Sequence, residues 1–137
     1  MSMFKIFDTA ASGMSAQSLR LNTVASNMAN VDSVSSSVDE TYKARQPVFS
    51  ALLNQFNPDE PAVGVQVKGV VESDAPLNME YAPNHPKANE EGYIFRPNVN
   101  VMEEMANMIS ASRSYQSNVE VINTAKQLMV ATLRLGE

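Results

Sequence analysis

NVMEEMANMISASRSYQSNVEVINTAKQLMVATLRLG, residues 100–136, is the stretch that decides the fold. Val101, Met105, Met108, Ser112, Tyr115, Val119, Ile122, Lys126, Met129 and Leu133 recur at alternating spacings of four and three, which is one stripe of an α-helix sustained through heptads. Both ends of this stretch carry stop signals. Asn100 can cap the first turn with Glu103 three residues on, and Glu103 and Glu104 complement the positive end of the helix dipole. Gly136 stands where a left-handed C-terminal residue belongs. These signals predict a helix over 99–134, roughly 54 Å long at about 1.5 Å per residue.

Moving outward from this stretch, all seven prolines lie between Pro47 and Pro97, so both flanks are free of helix breakers. In the first flank Phe4, Phe7, Ala11, Met14, Ser18, Leu21, Ala25 and Met28 keep the same spacing, predicting a second helix over 3–29. The chain divides into an N-terminal helix (1–30), a loop and small β-rich insert (31–98) and a C-terminal helix (99–137), the two termini forming one unit. The fold class is mainly α with a small β-rich insert, its long terminal helices in coiled-coil-like packing. Within the insert, Val63, Val65 and Val67 alternate with Gly64 and Gln66, predicting a half-buried strand with a bend or bulge at Gly69. Strands are also expected in 42–53, at an edge because of Pro47, and in 92–96. Turns are expected at 54–61 and 82–91, and a mobile loop over 31–41.

Composition narrows the function. The chain has 137 residues, no cysteine, a single histidine and a formal charge of −5. Thiolate zinc sites, disulfides and cysteine nucleophiles are therefore excluded, and an acidic surface disfavours nucleic acid and anionic lipid. The segment 31–98 holds ten acidic against five basic residues, so the acidity belongs to the insert. An acid–base site would have to use His85 with Glu80, Glu90 or Glu91, but His85 sits in a turn between Asn84 and Pro86, and the paired acids have the pattern of solvated loops. No phosphate-binding loop or metal spacing is present, so neither a cofactor nor a small-molecule substrate is expected. The opening residues lack the apolar run of a cleaved Sec signal, so any route out of the cytoplasm is expected to be a different one.

Two helices this long can bury only one stripe on each other, and the rest of their surface calls for partners. Small residues at stripe positions permit close approach, methionines adapt to irregular neighbours, and buried amides fix register. The residues expected at subunit contacts are Phe7, Ala11, Met14, Leu21, Ala25, Asn27 and Met28 in the first helix, and Met105, Met108, Ser112, Tyr115, Asn118, Val119, Ile122, Met129 and Leu133 in the second. Asn27, Asn118 and Asn123, flanking the apolar stripe, are expected to set register.

SNMAN (26–30), GVQVKGVVES (64–73), YAPNHPKANEEGYIFRPNVNV (81–101), ASRSYQSNVEVIN (111–123) and LRLGE (133–137) give the chain a family character. In these motifs, and in their order over nearly the whole length, it resembles the bacterial flagellar basal-body rod proteins, nearest to the proximal rod members. The resemblance implies a non-enzymatic axial subunit whose terminal helices order on assembly into a periplasm-crossing, torque-transmitting shaft. It further implies self-association, neighbouring rod proteins and the basal-body adaptor at the MS-ring as partners, and export by the flagellar type III apparatus without signal cleavage. Composition and heptads alone would equally suit a self-associating coiled-coil binding module unrelated to the flagellum.

Overall fold

The computed structural model describes residues 3–52 and 64–136. Helix α1 spans Met3–Ala29 and α2 spans Val101–Leu135, within two residues of the limits set by caps and prolines. Asn100 caps α2 as expected, its side chain accepting from the Met102 and Glu103 backbone N–H groups. At the other end the expectation fails. Gly136 is right-handed (φ −89°), and its N–H simply closes a last tight turn on the Leu133 carbonyl.

Between the helices lie two separate two-stranded antiparallel sheets. Strands β1 (Arg45–Leu52) and β2 (Gly64–Glu72) pair from Arg45 opposite Glu72 to Leu52 opposite Gly64. Val48 faces Gly69 while Phe49 faces Val67, so Lys68 is the extra residue of a bulge at the expected glycine. The expected turn 54–61 and Val63 lie outside the described residues. The expected half-buried β2 is instead exposed along most of its length, Val65, Val70 and Val71 included, because only its start meets a helix. There the Val65 N–H donates to Ser12 Oγ of α1 at 3.1 Å.

Strands β3 (Asn78–Tyr81) and β4 (Tyr93–Arg96) form the second hairpin, with Tyr81 opposite Tyr93 in an edge-to-face pair 5.2 Å apart. Gly92 ends the intervening turns at φ +84°, where a side chain would be strained and would run into Tyr81. The segment 31–41, expected to be mobile, is tied down. Ser35 exchanges two backbone hydrogen bonds of 3.0 Å with Phe95, Lys87 Nζ donates to the Val34 carbonyl, and Thr41 is buried. Local sequence could not anticipate this, because the partner strand is sixty residues away. Ile94, Pro97, Val99, Ala44, Val24 and Asn27 are buried where the end of α1, this loop, β4 and the start of α2 converge.

Candidate assembly interface

The two helices run antiparallel. Ile6 shares a groove with Ala125 and Leu128, Gly13 lies against Asn118, Arg20 Nη2 donates to Asn107 Oδ1 at 2.8 Å, and Asn27 hydrogen-bonds to Glu104. Small side chains make this approach possible. Ala10, Ala111 and Ala125 are buried, and even a methyl group on Gly13 would stand 2.8 Å from Asn118 Nδ2. The inner stripe of α1 is therefore Ile6, Ala10, Gly13, Gln17, Arg20, Val24 and Asn27, one position ahead of the stripe read from its larger apolar residues. A one-residue step is about 100° around a helix.

Near the end of α1, three segments are joined by buried polar groups. Asn27, 1% exposed, accepts from Tyr42 Oη at 2.8 Å and from the Arg45 N–H at 2.9 Å, and its amide donates to the Arg45 carbonyl at 2.8 Å. One side chain thus replaces a strand neighbour for the first residue of β1. Asn98 does the same from the other side, accepting from the Ala44 N–H at 2.7 Å and donating to the Ala75 carbonyl at 2.8 Å. The Arg45 guanidinium lies over the Tyr42 ring, 5.4 Å from its centroid, and reaches Glu72 at 3.5 Å. Glu104, 5% exposed, sits beneath Asn27 with Oε2 buried and unpartnered. Burial raises its carboxyl above the usual range, against the lowering effect of the Asn27 hydrogen bond; Glu103 adds to the rise and Arg20 opposes it.

The residues expected at subunit contacts divide between two environments. Ala11, Ala25, Met105 and Leu133 are exposed. Phe7, Met14, Leu21, Met28, Met108, Ser112, Tyr115, Asn118, Val119, Ile122 and Met129 are half-buried along the flanks of the helix contact. Asn27, expected beside the seam, lies inside it, and Asn118 meets Gly13 of its own chain, whereas Asn123 is exposed. Beyond these, the outward line of α1 is Phe4, Asp8, Ala11, Ser15, Ser18, Asn22, Ala25 and Ala29, all exposed and most of them small. On α2 the outward residues include Met102, Met105 and Ile109 near its start and Leu128, Leu133 and Leu135 near its end. Sequence reasoning overlooked the inner alanines, Gly13 and Glu104. The signal was there in the spacing of Ala10–Gly13 and of Ala111–Ala125, but the larger residues one position on outweighed it.

The comparisons with known proteins bear on this arrangement. The family described as flagella basal body rod protein matches residues 7–35, and the flagellar basal body rod FlgEFG protein C-terminal family matches 90–135. Each match covers most of a helix and part of the segment that adjoins it in the chain. The flagellar basal-body rod protein FlgC of Salmonella typhimurium is 47% identical over the full length of both chains, that of Yersinia enterocolitica 49%, and that of Bacillus subtilis 31%. This chain belongs to the FlgC family of flagellar basal-body rod proteins. As a member of that family it is a structural subunit of the basal-body rod, and among the described residues two small two-stranded sheets lie between its helices. In such a subunit, the outward faces of α1 and α2 are the candidate interface.

Proposed function

We propose that this chain is a proximal rod subunit that assembles helically with copies of itself and with other rod proteins. The contacts are made through the outward faces of α1 and α2, in coiled-coil-like packing between subunits. One observation carries the reading. The helix pair closes through its small residues and leaves large apolar side chains such as Met102, 75% exposed, and Leu133, 68% exposed, pointing outward. Clusters of exposed apolar side chains at both ends of one helix mark surfaces that take a partner. The small outward face of α1 is suited to receive such a cluster from a neighbour, since it offers little side-chain bulk between backbones.

In this role Ala11, Ala25, Met105 and Leu133 lie at the centre of contacts and the half-buried flank residues lie at their margins. The assembled shaft crosses the periplasm, meets the adaptor at the MS-ring and transmits torque, and its subunits arrive through the flagellar type III apparatus. No catalytic step belongs to this role.

The absence of cysteine gives a clean test. Ala25→Cys and Met105→Cys should each react readily with a maleimide in the isolated chain and be protected in purified basal bodies. Equal labelling in both states, or absence of the chain from basal bodies that rotate normally, overturns the reading.

A further inference from the structure

Glu104 is the one acidic side chain among the described residues that is buried, and the rod role makes no use of it. It lies on α2 against the last turns of α1, beside Asn27, whose side chain holds the start of β1. From α1 it receives the Asn27 hydrogen bond and faces Arg20, whose guanidinium is engaged with Asn107 Oδ1 at 2.8 Å. Its own helix contributes the like charge of Glu103. Asn27 in turn holds Tyr42, whose hydroxyl it shares with Ser26 Oγ, and Arg45, which is paired with Glu72 at 3.5 Å and stacked on Tyr42. The nearby donors therefore have partners of their own, and Oε2 has none.

We propose that the Glu104 carboxyl is a proton-controlled latch on the junction of α1 and α2 at Asn27, the side chain that also anchors the start of β1. Protonated, it is a neutral group that accepts from Asn27 without burying a charge. Ionised, it places a carboxylate oxygen with no partner in the junction, at a desolvation cost that Asn27 and Arg20 offset only in part and that opening of the junction or entry of water relieves. Opening reaches further than one side chain, because Asn27 also holds the Tyr42 hydroxyl and both backbone groups of Arg45. The latch is a property of the single folded chain and stands or falls independently of the rod assignment.

The direction with pH follows from linkage. The folded state holds the Glu104 proton more tightly than the unfolded chain does, so its stabilising effect is complete below the ordinary carboxylate range and is lost as pH rises through the raised folded value.

The test uses the isolated full-length chain. Carboxyl-carbon NMR titration of wild type should place the Glu104 midpoint above the ordinary carboxylate range. Urea unfolding of wild type should give a folding constant that falls several-fold as the pH is raised across the Glu104 titration. Glu104→Gln should remove that part of the fall, and Glu103→Gln should retain it. A Glu104 midpoint in the ordinary carboxylate range overturns the latch, as does an unaltered pH dependence in folded Glu104→Gln. Should Glu104→Gln not fold, the wild-type midpoint decides alone.

Discussion

The two ends of the helix pair are built differently. At the root, where α1 ends and α2 begins, Asn27, Asn98 and Asn100 satisfy backbone groups of three other segments, and Ile94 and Val99 are buried beside them. At the free end, the register that sets Ile6 beside Leu128 leaves Leu133 and Leu135 beyond the first described turn of α1, the latter 89% exposed. The root is specified by directional bonds within the chain. The free end carries apolar surface that nothing among the described residues covers. A subunit built this way has a fixed base and a surface whose energetics are settled by neighbours, because burial of apolar area contributes only where a second surface is present.

That contrast can be broken most decisively at Asn27. Asn27→Leu would leave the Arg45 N–H and carbonyl without their side-chain partner in a buried site and the Tyr42 hydroxyl with Ser26 Oγ alone, a loss of about 3 kcal/mol. Urea unfolding of the isolated chain measures it. A loss near zero would mean the root is no better specified than the free end.

Next in size comes the middle of the helix contact. Gly13→Leu should cost about 1–3 kcal/mol by overpacking against Asn118. Gly13→Ala should be close to neutral alone, since the Asn118 amide must move aside. Placed in an Asn118→Ala background, it should stabilise by about 1 kcal/mol through helix propensity. A double-mutant cycle with no coupling would place the closest approach of the helices elsewhere.

The smallest effects on stability belong to the outward faces. Ala25→Leu and Leu133→Ser should each leave unfolding of the isolated chain within about 0.5 kcal/mol of wild type. Motility and incorporation into basal bodies should nonetheless fall in both. Loss of stability in Ala25→Leu would turn α1 back towards the stripe read from its large residues. Normal assembly of both variants would remove these faces from the interface. Limited proteolysis sharpens the same contrast, with cleavage expected first in the last turns of α2 and last at the root.

Periodicity, proline placement and Asn100 located both helices to within two residues, and the bulge glycine and the turns of 82–91 were equally legible, since each depends on neighbours in the chain. Family membership was legible too, carried by motifs spread over nearly the whole length. Rotation of the helices was not. A heptad repeat generates several parallel stripes of the same period, and the sequence pattern marked one while the chain closed on the stripe beside it, where Ala10 and Gly13 let the backbones approach closely. The pinning of 31–41 by Phe95, the burial of Glu104 and the place of Asn27 inside the contact likewise depend on segments far apart in sequence. Local chemistry settled where the helices start and stop, and long-range packing alone decided which side of each turned inward and which was left for a partner.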